Sequence, residues 1–196
     1  MTSADIYDRV LTRADAPAAL AEVRRLVTIQ RFHARVLVQE RDVIRQCRIE
    51  VDLPAGQWWM LTRREDGQHR SSEHRDGRTF RDGVPAGLQL AAHQGTPPAL
   101  EPVFFDHLPW WGQHEHGFWP VLLRHIGTHS VLATFEHGMD PSMLSALVVD
   151  TRLGLVTRIM NFNAPYVILL DIELDRPVER LVPATWPELD VVHPDY

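Results

Sequence analysis

The feature that most constrains this fold lies in residues 32–80, where extended segments are separated by two Asp-Gly pairs. The pairs are Asp66-Gly67 and Asp76-Gly77. Both central residues of a type I′ turn need a positive φ, so Asp-Gly between extended segments predicts a tight hairpin. Strands joined this tightly are antiparallel neighbours. The first half of the chain is therefore predicted to form an antiparallel meander.

The spacing of apolar residues predicts one helix and a series of strands. Residues 18–29 have helical spacing, and Asp15 followed by Pro17 suits a helix start. A short second helix is predicted at 118–125. Period-two patterns predict strands at 32–38, 43–53, 58–62, 68–74, 78–81, 129–137, 142–150, 155–161 and 166–174. The polar strand at 68–74 is expected at an edge or a solvated rim of the sheet.

Two of the later strands are apolar on both faces. Leu147, Val148 and Val149 are consecutive, and residues 167–170 are all apolar. A sheet with one solvated face would alternate apolar and polar residues. One helix covers one face, so the other face must be covered by an aromatic loop, a partner or a ligand.

Length and charge restrict the class of protein. The chain has 196 residues, which fits one domain. We predict a flexible N-terminus at 1–15, a single domain at 16–182 and a C-terminal tail at 183–196. The net charge of −6 argues against a nucleic-acid partner, because such proteins carry a basic patch.

The chain carries one cysteine and no apolar segment long enough for a transmembrane helix. Cys47 lies on the apolar side of its strand, which predicts a buried, inert thiol. Asp5, Asp8 and Arg9 interrupt any apolar run near the start, so no secretory segment is recognised. A cytoplasmic location is the expectation from this pattern.

The order of elements is similar to a known superfamily. A helix leads into a meander with the hairpin at 74–80, and an apolar middle segment follows. Residues 147–158 then form a strand, a turn and a strand, and the closing strand ends at 171–178. Over residues 18–182 this resembles the LolA-like lipoprotein carriers, which include periplasmic lipoprotein chaperones, the sensor domain of RseB regulators and LppX-type lipid carriers.

The resemblance implies an α+β fold, with a strongly curved antiparallel sheet, an N-terminal helix and short plug helices. Such a half-barrel encloses an apolar cavity for acyl chains. Those relatives are exported, whereas this sequence shows neither a signal peptide nor a lipobox cysteine near its start. The cavity is therefore expected to carry over, and lipoprotein transport is not.

Aromatic residues are the best candidates for a binding site, because pockets for small molecules are mostly apolar and often aromatic. We predict a hydrophobic small molecule or acyl chain as the ligand, with residues 83–102 and 104–119 as a lid. The alternative is a core or cavity plug without a ligand. The predicted ligand-binding residues are Trp58, Met60, Phe104, Phe105, Trp110, Trp111, Phe118 and Trp119.

Catalytic chemistry finds less support, and no catalytic residue, metal site or cofactor is predicted. Residues 107–129 are rich in histidine, but they lack a third ligand at zinc spacing. One alternative is a cyclase or isomerase of a hydrophobic intermediate, with His114 or His116 as acid or base. Another is a regulatory module that binds a protein partner through the strand at 68–74.

Overall fold

The computed structural model describes residues 6–63, 67–86, 93, 96–108, 110–111, 117–161 and 165–175. One helix, α1, spans Ala16–Leu26. The strands are β1 Arg31–Glu40, β2 Val43–Asp52, β3 Gln57–Arg63, β4 His69–Arg75, β5 Arg78–Arg81, β6 Val84–Pro85, β7 Phe118–Gly127, β8 Ser130–His137, β9 Asp140–Asp150, β10 Leu155–Met160 and β11 Tyr166–Leu174. Short 3-10 turns lie at Arg13–Asp15, Pro98–Leu100 and Phe105–His107.

The strands form one antiparallel sheet that is open at both edges. Its order is β6-β5-β4-β3-β2-β1-β11-β10-β9-β8-β7, so β1 and β11 join the two meanders in the middle. This confirms the predicted α+β half-barrel with an N-terminal helix.

Aspartate-glycine turns close two of the hairpins. Asp76 and Gly77 have φ values of 53° and 68° and connect β4 to β5, as predicted. Asp82 and Gly83 repeat this geometry between β5 and β6, with φ values of 51° and 78°. Asp66 lies outside the described residues. The local prediction of tight hairpins is confirmed where it can be compared.

The predicted helix at 118–125 is wrong, because these residues form the edge strand β7. Pro120 is tolerated there, since an edge strand has one side free of ladder hydrogen bonds. A register shift between Pro120 and Leu122 breaks the period-two pattern that would have indicated a strand. The predicted helix at 18–29 begins and ends earlier, at Ala16–Leu26.

The prediction that residues 68–74 form an edge or solvated rim is also wrong. β4 lies between β3 and β5 and is hydrogen-bonded on both sides. Ser72 and His74 are buried on its inner side. Polar composition misled the prediction here, because the His74 ring stacks on Trp58 and its Nδ1 atom lies 3.0 Å from Oγ1 of Thr79.

The core lies on the inner face of the sheet. Its strand residues alternate with outward ones, as Phe32, Ala34, Val36 and Val38 do on β1. Helix α1 packs on this face, and so do residues 96–108 and 110–111. We call these two ranges together the covering segment. The core includes Leu100, Phe105, Leu108, Trp110 and Trp111 from that segment.

Cys47 is a free, buried cysteine of β2, as predicted. Its Sγ atom lies 3.5 Å from Oγ1 of Thr62 on β3. Burial raises the pKa of the Cys47 thiol, which disfavours the reactive thiolate.

Before α1, the chain runs along β7. The backbone N–H of Asp8 donates to the carbonyl of Leu123, and that of Leu11 donates to Val121. Ile6 and Leu11 are buried. The predicted domain limits stay a prediction, and residues 176–196 lie outside the described part.

No helix in the described part of the chain is long and apolar enough to cross a membrane. The cytoplasmic location stays a prediction.

Candidate functional site

An aromatic cluster joins the covering segment to the second half of the sheet. The rings of Phe105 and Trp111 meet edge to face, with centroids 4.9 Å apart. Phe135 of β8 lies below both tryptophans, 4.8 Å from the Trp110 ring and 5.4 Å from the Trp111 ring. All four side chains are buried. The cluster thus fixes the C-terminal end of the covering segment to the inner face.

The predicted ligand-binding residues do not form one group. Trp58 and Met60 are buried in the same core but on β3, in the first half of the sheet. Trp58 stacks on His74, with ring centroids 6.1 Å apart. Phe104 and Phe118 are partly buried and pack against the core.

Trp119 lies apart from this group. Side chains alternate along a strand, and its neighbour Phe118 points to the inner face, so Trp119 points to the outer one. Its ring lies under Arg13, whose guanidinium carbon is 5.1 Å from the ring centroid. Of the predicted residues, Phe105 and Trp111 are in direct ring contact with each other. Trp110 contacts the ring of Phe135. Phe135 was not predicted, since an isolated phenylalanine in an alternating strand carries no distinguishing signal.

Arg24 of α1 touches the covering segment at its rim. Its guanidinium carbon lies 5.6 Å from the Trp111 ring centroid. Its Nε atom lies 3.7 Å from Oδ2 of Asp106, and both side chains are substantially exposed. Exposed pairs of this kind contribute about 0–1 kcal/mol each. The two contacts of Arg24 therefore hold this edge of the covering segment to α1 only weakly.

The indole nitrogens of Trp110 and Trp111 are buried, and neither has a hydrogen-bond partner among the described residues. Buried tryptophan N–H groups usually find an acceptor. Two neighbouring exceptions therefore mark this cluster as a place where donors point into an apolar environment.

A polar group lies at one end of the inner face. Asn161, directly after β10, is buried, and its Nδ2 atom donates to Oε2 of Glu101 at 3.4 Å. Its Oδ1 atom is buried and accepts no hydrogen bond from the described residues. Burial, and then the charge of Glu40, raise the pKa of Glu101 to about 7. Neither Glu101 nor Asn161 was predicted from the sequence.

The described histidines are not grouped as a metal centre. His93 and His107 stack with centroids 3.8 Å apart, and burial followed by the charge of His107 lowers the pKa of His93. The histidines at 114 and 116 lie outside the described residues. Within the ranges that the structure describes, no three histidine, cysteine or acidic side chains are grouped to hold a metal.

Comparison with solved structures identifies the fold. The crystal structure of MucB superposes with a TM-score of 0.53 and 18% sequence identity, covering 83% of this chain and 60% of MucB. The two chains share a fold. This likeness supports the predicted half-barrel fold, and at 18% identity it shows the fold alone.

MucB in complex with MucA(peri) is a second match, with 16% identity, a TM-score of 0.44, and coverage of 82% of this chain and 55% of that chain. This chain thus spans less than two thirds of either matched chain. No family model and no curated protein matches the sequence.

Proposed function

We propose that this chain is a binding protein that holds a hydrophobic small molecule or acyl chain between the inner face of its sheet and the covering segment. The observation that carries the proposal is the pair of buried indole N–H groups of Trp110 and Trp111, neither with a partner among the described residues. An oxygen atom of a bound amphiphile would accept from them. Phe105 and Phe135 would contact its apolar part.

The energetics favour a ligand role over a purely structural one. A buried donor without a partner costs about 1–3 kcal/mol, and phenylalanine would fill the same apolar position without that penalty. Tryptophan is instead common where a ring contacts apolar atoms and its N–H contacts a polar one. Burying an acyl chain contributes about 0.8 kcal/mol per methylene, which supports binding without any further polar contact.

Entry of a ligand requires the covering segment to move, and its polar attachments are few. In the described part of the chain these attachments include the Asn161–Glu101 hydrogen bond and the exposed Arg24–Asp106 pair. The segment lies outside the sheet and lacks its ladder of backbone hydrogen bonds, so we expect it to open locally at lower free energy than the strands beneath it. Binding would then exchange the segment's own aromatic contacts for contacts with the ligand.

Fluorescence titration with a long-chain fatty acid carrying an environment-sensitive dye tests the proposal. We expect saturable binding by the wild-type chain. The double variant Trp110→Phe/Trp111→Phe keeps the rings and removes both donors, so we expect roughly tenfold weaker binding or more. Replacing both residues with Ala should abolish binding.

Trp119→Phe is the matched control, because that ring lies under Arg13, away from the cluster. It should bind like the wild type. Absence of saturable binding by the wild-type chain contradicts the proposal. Equal affinity in the Trp110→Phe/Trp111→Phe variant contradicts the role of the indole donors.

A protein-binding role is the second candidate, and β7 rather than β4 now favours it. Residues 124–127 at the end of this edge strand are exposed, with Ile126 at 51%. In the described part of the chain, the N-terminal residues lie along β7 as far as His125, since Tyr7 stacks on its ring and Asp8 pairs with Arg124. Ile126 and Gly127 follow beyond these contacts. An exposed edge can accept a strand from a partner. Ile126→Lys should then release a partner that cross-links to the wild-type chain, whereas Leu144→Lys should not.

A further inference from the structure

Three polar residues lie at one end of the inner face, beside the candidate cavity. Val167 of β11 pairs with Ile159 on one side and Val38 on the other, and all three are inner-face residues. Because side chains alternate along a strand, Asn161 and Glu40, each two residues further on, lie at the same end of this face. Glu101 approaches from the covering segment and is joined to Asn161. The face is thus apolar in its interior and polar at this end.

The free atoms at this end are acceptors. Asn161 is 8% exposed, and its amide nitrogen is used by Glu101, which leaves Oδ1 buried without a donor among the described residues. The carboxyl group of Glu101 has no cationic partner in the described part of the chain. A carboxylate and an amide oxygen together recognise a group that only donates.

The charge at this end favours a cation. Glu40 is paired with Arg45 at 2.8 Å, so its charge is already compensated locally. Glu101 is not compensated in this way, and burial with the nearby Glu40 holds its pKa near 7. An anionic head group would add repulsion here, whereas an ammonium group would stabilise the ionised carboxylate.

We propose that Glu101 and Asn161 form a head-group subsite for the protonated amine of the amphiphile that the cavity holds. The assignment rests on the proposed function, because it names a second polar group of the same ligand, separate from the oxygen atom that would accept from the indole N–H groups. The ammonium N–H groups donate to a Glu101 oxygen and to Oδ1 of Asn161. The ligand enters protonated, and the proton that Glu101 carries in the free protein leaves to the solvent.

The test compares a primary amine, an alcohol and a carboxylic acid of the same long alkyl chain, each below its micelle concentration. At pH 7 we expect the amine to bind the wild-type chain at least tenfold more tightly than the acid. Calorimetry in two buffers of different ionisation enthalpy should detect release of about half a proton with the amine only, because a carboxyl with a pKa of about 7 is half protonated at pH 7. Glu101→Gln should remove both the amine preference and the proton release while leaving the alcohol within about twofold.

Two further variants separate the contributions. Asn161→Leu keeps a similar volume without the amide oxygen and should weaken the amine several-fold more than the alcohol. Glu136→Gln makes the same charge change on the outer side of β8 and should leave all three affinities unchanged. Thermal unfolding of each variant confirms that it folds.

The failures of the two proposals are distinguishable. If all three compounds bind alike, or if Glu101→Gln keeps the amine preference, the subsite is overturned and the binding function stands. If none of the three binds the wild-type chain, the binding function fails and the subsite fails with it.

Discussion

Asn161 donates a hydrogen bond to Glu101 across 60 residues of sequence, joining the end of β10 to the covering segment. The donor is buried, and the acceptor carries the pKa that burial and Glu40 raise to about 7. One contact therefore links the packing of the segment, the charge at the end of the inner face and the candidate site.

The first prediction concerns pH. The pKa of Glu101 is raised from 4.5 to about 7 on folding. Below pH 4.5 the carboxyl is neutral in both states, so it carries no penalty. Between pH 4.5 and 7 the unfolded state ionises first, and the free energy of unfolding falls by up to about 3 kcal/mol. Above pH 7 this loss is complete.

Glu101→Gln should remove this dependence. Other groups titrate in the same range, so the measurement is the difference in free energy of unfolding between the two proteins, from urea denaturation at pH 4.5 to 8. We expect the variant to gain stability relative to the wild type as pH rises. A difference that is constant with pH contradicts the raised pKa.

The second prediction concerns Phe135, which is 0% exposed and contacts the rings of Trp110 and Trp111. Phe135→Ala removes this contact and leaves a cavity, so we expect a loss of about 3–5 kcal/mol in the free energy of unfolding. Leu144→Ala on neighbouring β9 is the control, since Leu144 is 47% exposed and should lose under about 1 kcal/mol. Similar losses in the two variants would show that the cluster is not packed as described.

The third prediction concerns Gly154, in the turn between β9 and β10. Its φ is 64°, its carbonyl accepts from the backbone of Thr28 and Ile29, and a Cβ atom there would collide with the Thr28 hydroxyl. Gly154→Ala therefore combines backbone strain with a clash, and we expect a loss of about 2–4 kcal/mol in stability.

Gly77→Ala is the matched control for this substitution. Gly77 has a φ of 68°, but a Cβ atom would meet nothing within 4 Å. Only the backbone penalty of about 1–2 kcal/mol applies. Chemical denaturation of both variants measures the difference, and equal losses would argue against a tight contact between this turn and the α1–β1 connection.

The fourth prediction concerns Arg24 and the opening of the covering segment. Arg24→Ala removes the contacts with Trp111 and Asp106, together worth about 1 kcal/mol, so amide exchange in residues 96–108 should accelerate roughly fivefold. Hydrogen-exchange mass spectrometry reports this directly. Arg31→Ala breaks the pair with Asp52 at the opposite end of β1 from Glu40, and should leave that exchange unchanged. Acceleration in both variants would indicate global destabilisation instead.

Much of the sheet could be predicted because its signals are local. The Asp76-Gly77 turn follows from the positive φ that both positions need, and the alternation from Phe32 to Val38 follows from strand geometry. β7 escaped prediction because its bulge interrupts the alternation between Pro120 and Leu122. The position of residues 69–75 inside the sheet was missed because polar composition was given more weight than the predicted strands on either side, at 58–62 and 78–81.

The candidate site was predicted only in part, because its contacts join residues that are far apart in sequence. Trp110 and Trp111 were recognisable as large apolar side chains in a segment without regular structure. The contact of both with Phe135, and that of Glu101 with Asn161, join residues far apart in sequence. Trp119, adjacent to Phe118, points to the other face because side chains alternate along β7.

By itself, the sequence determined most of the strands, the tight turns and the half-barrel fold, since backbone preference and alternation act over a few residues. Only the tertiary structure decided which aromatic side chains meet, which strands form the edges and which polar atoms are left buried. Burial and unsatisfied hydrogen bonds are properties of the packed chain, because a neighbour distant in sequence removes the water. For this reason, only the tertiary structure identifies the indole nitrogens of Trp110 and Trp111 and the oxygen of Asn161 as buried polar atoms without a partner among the described residues.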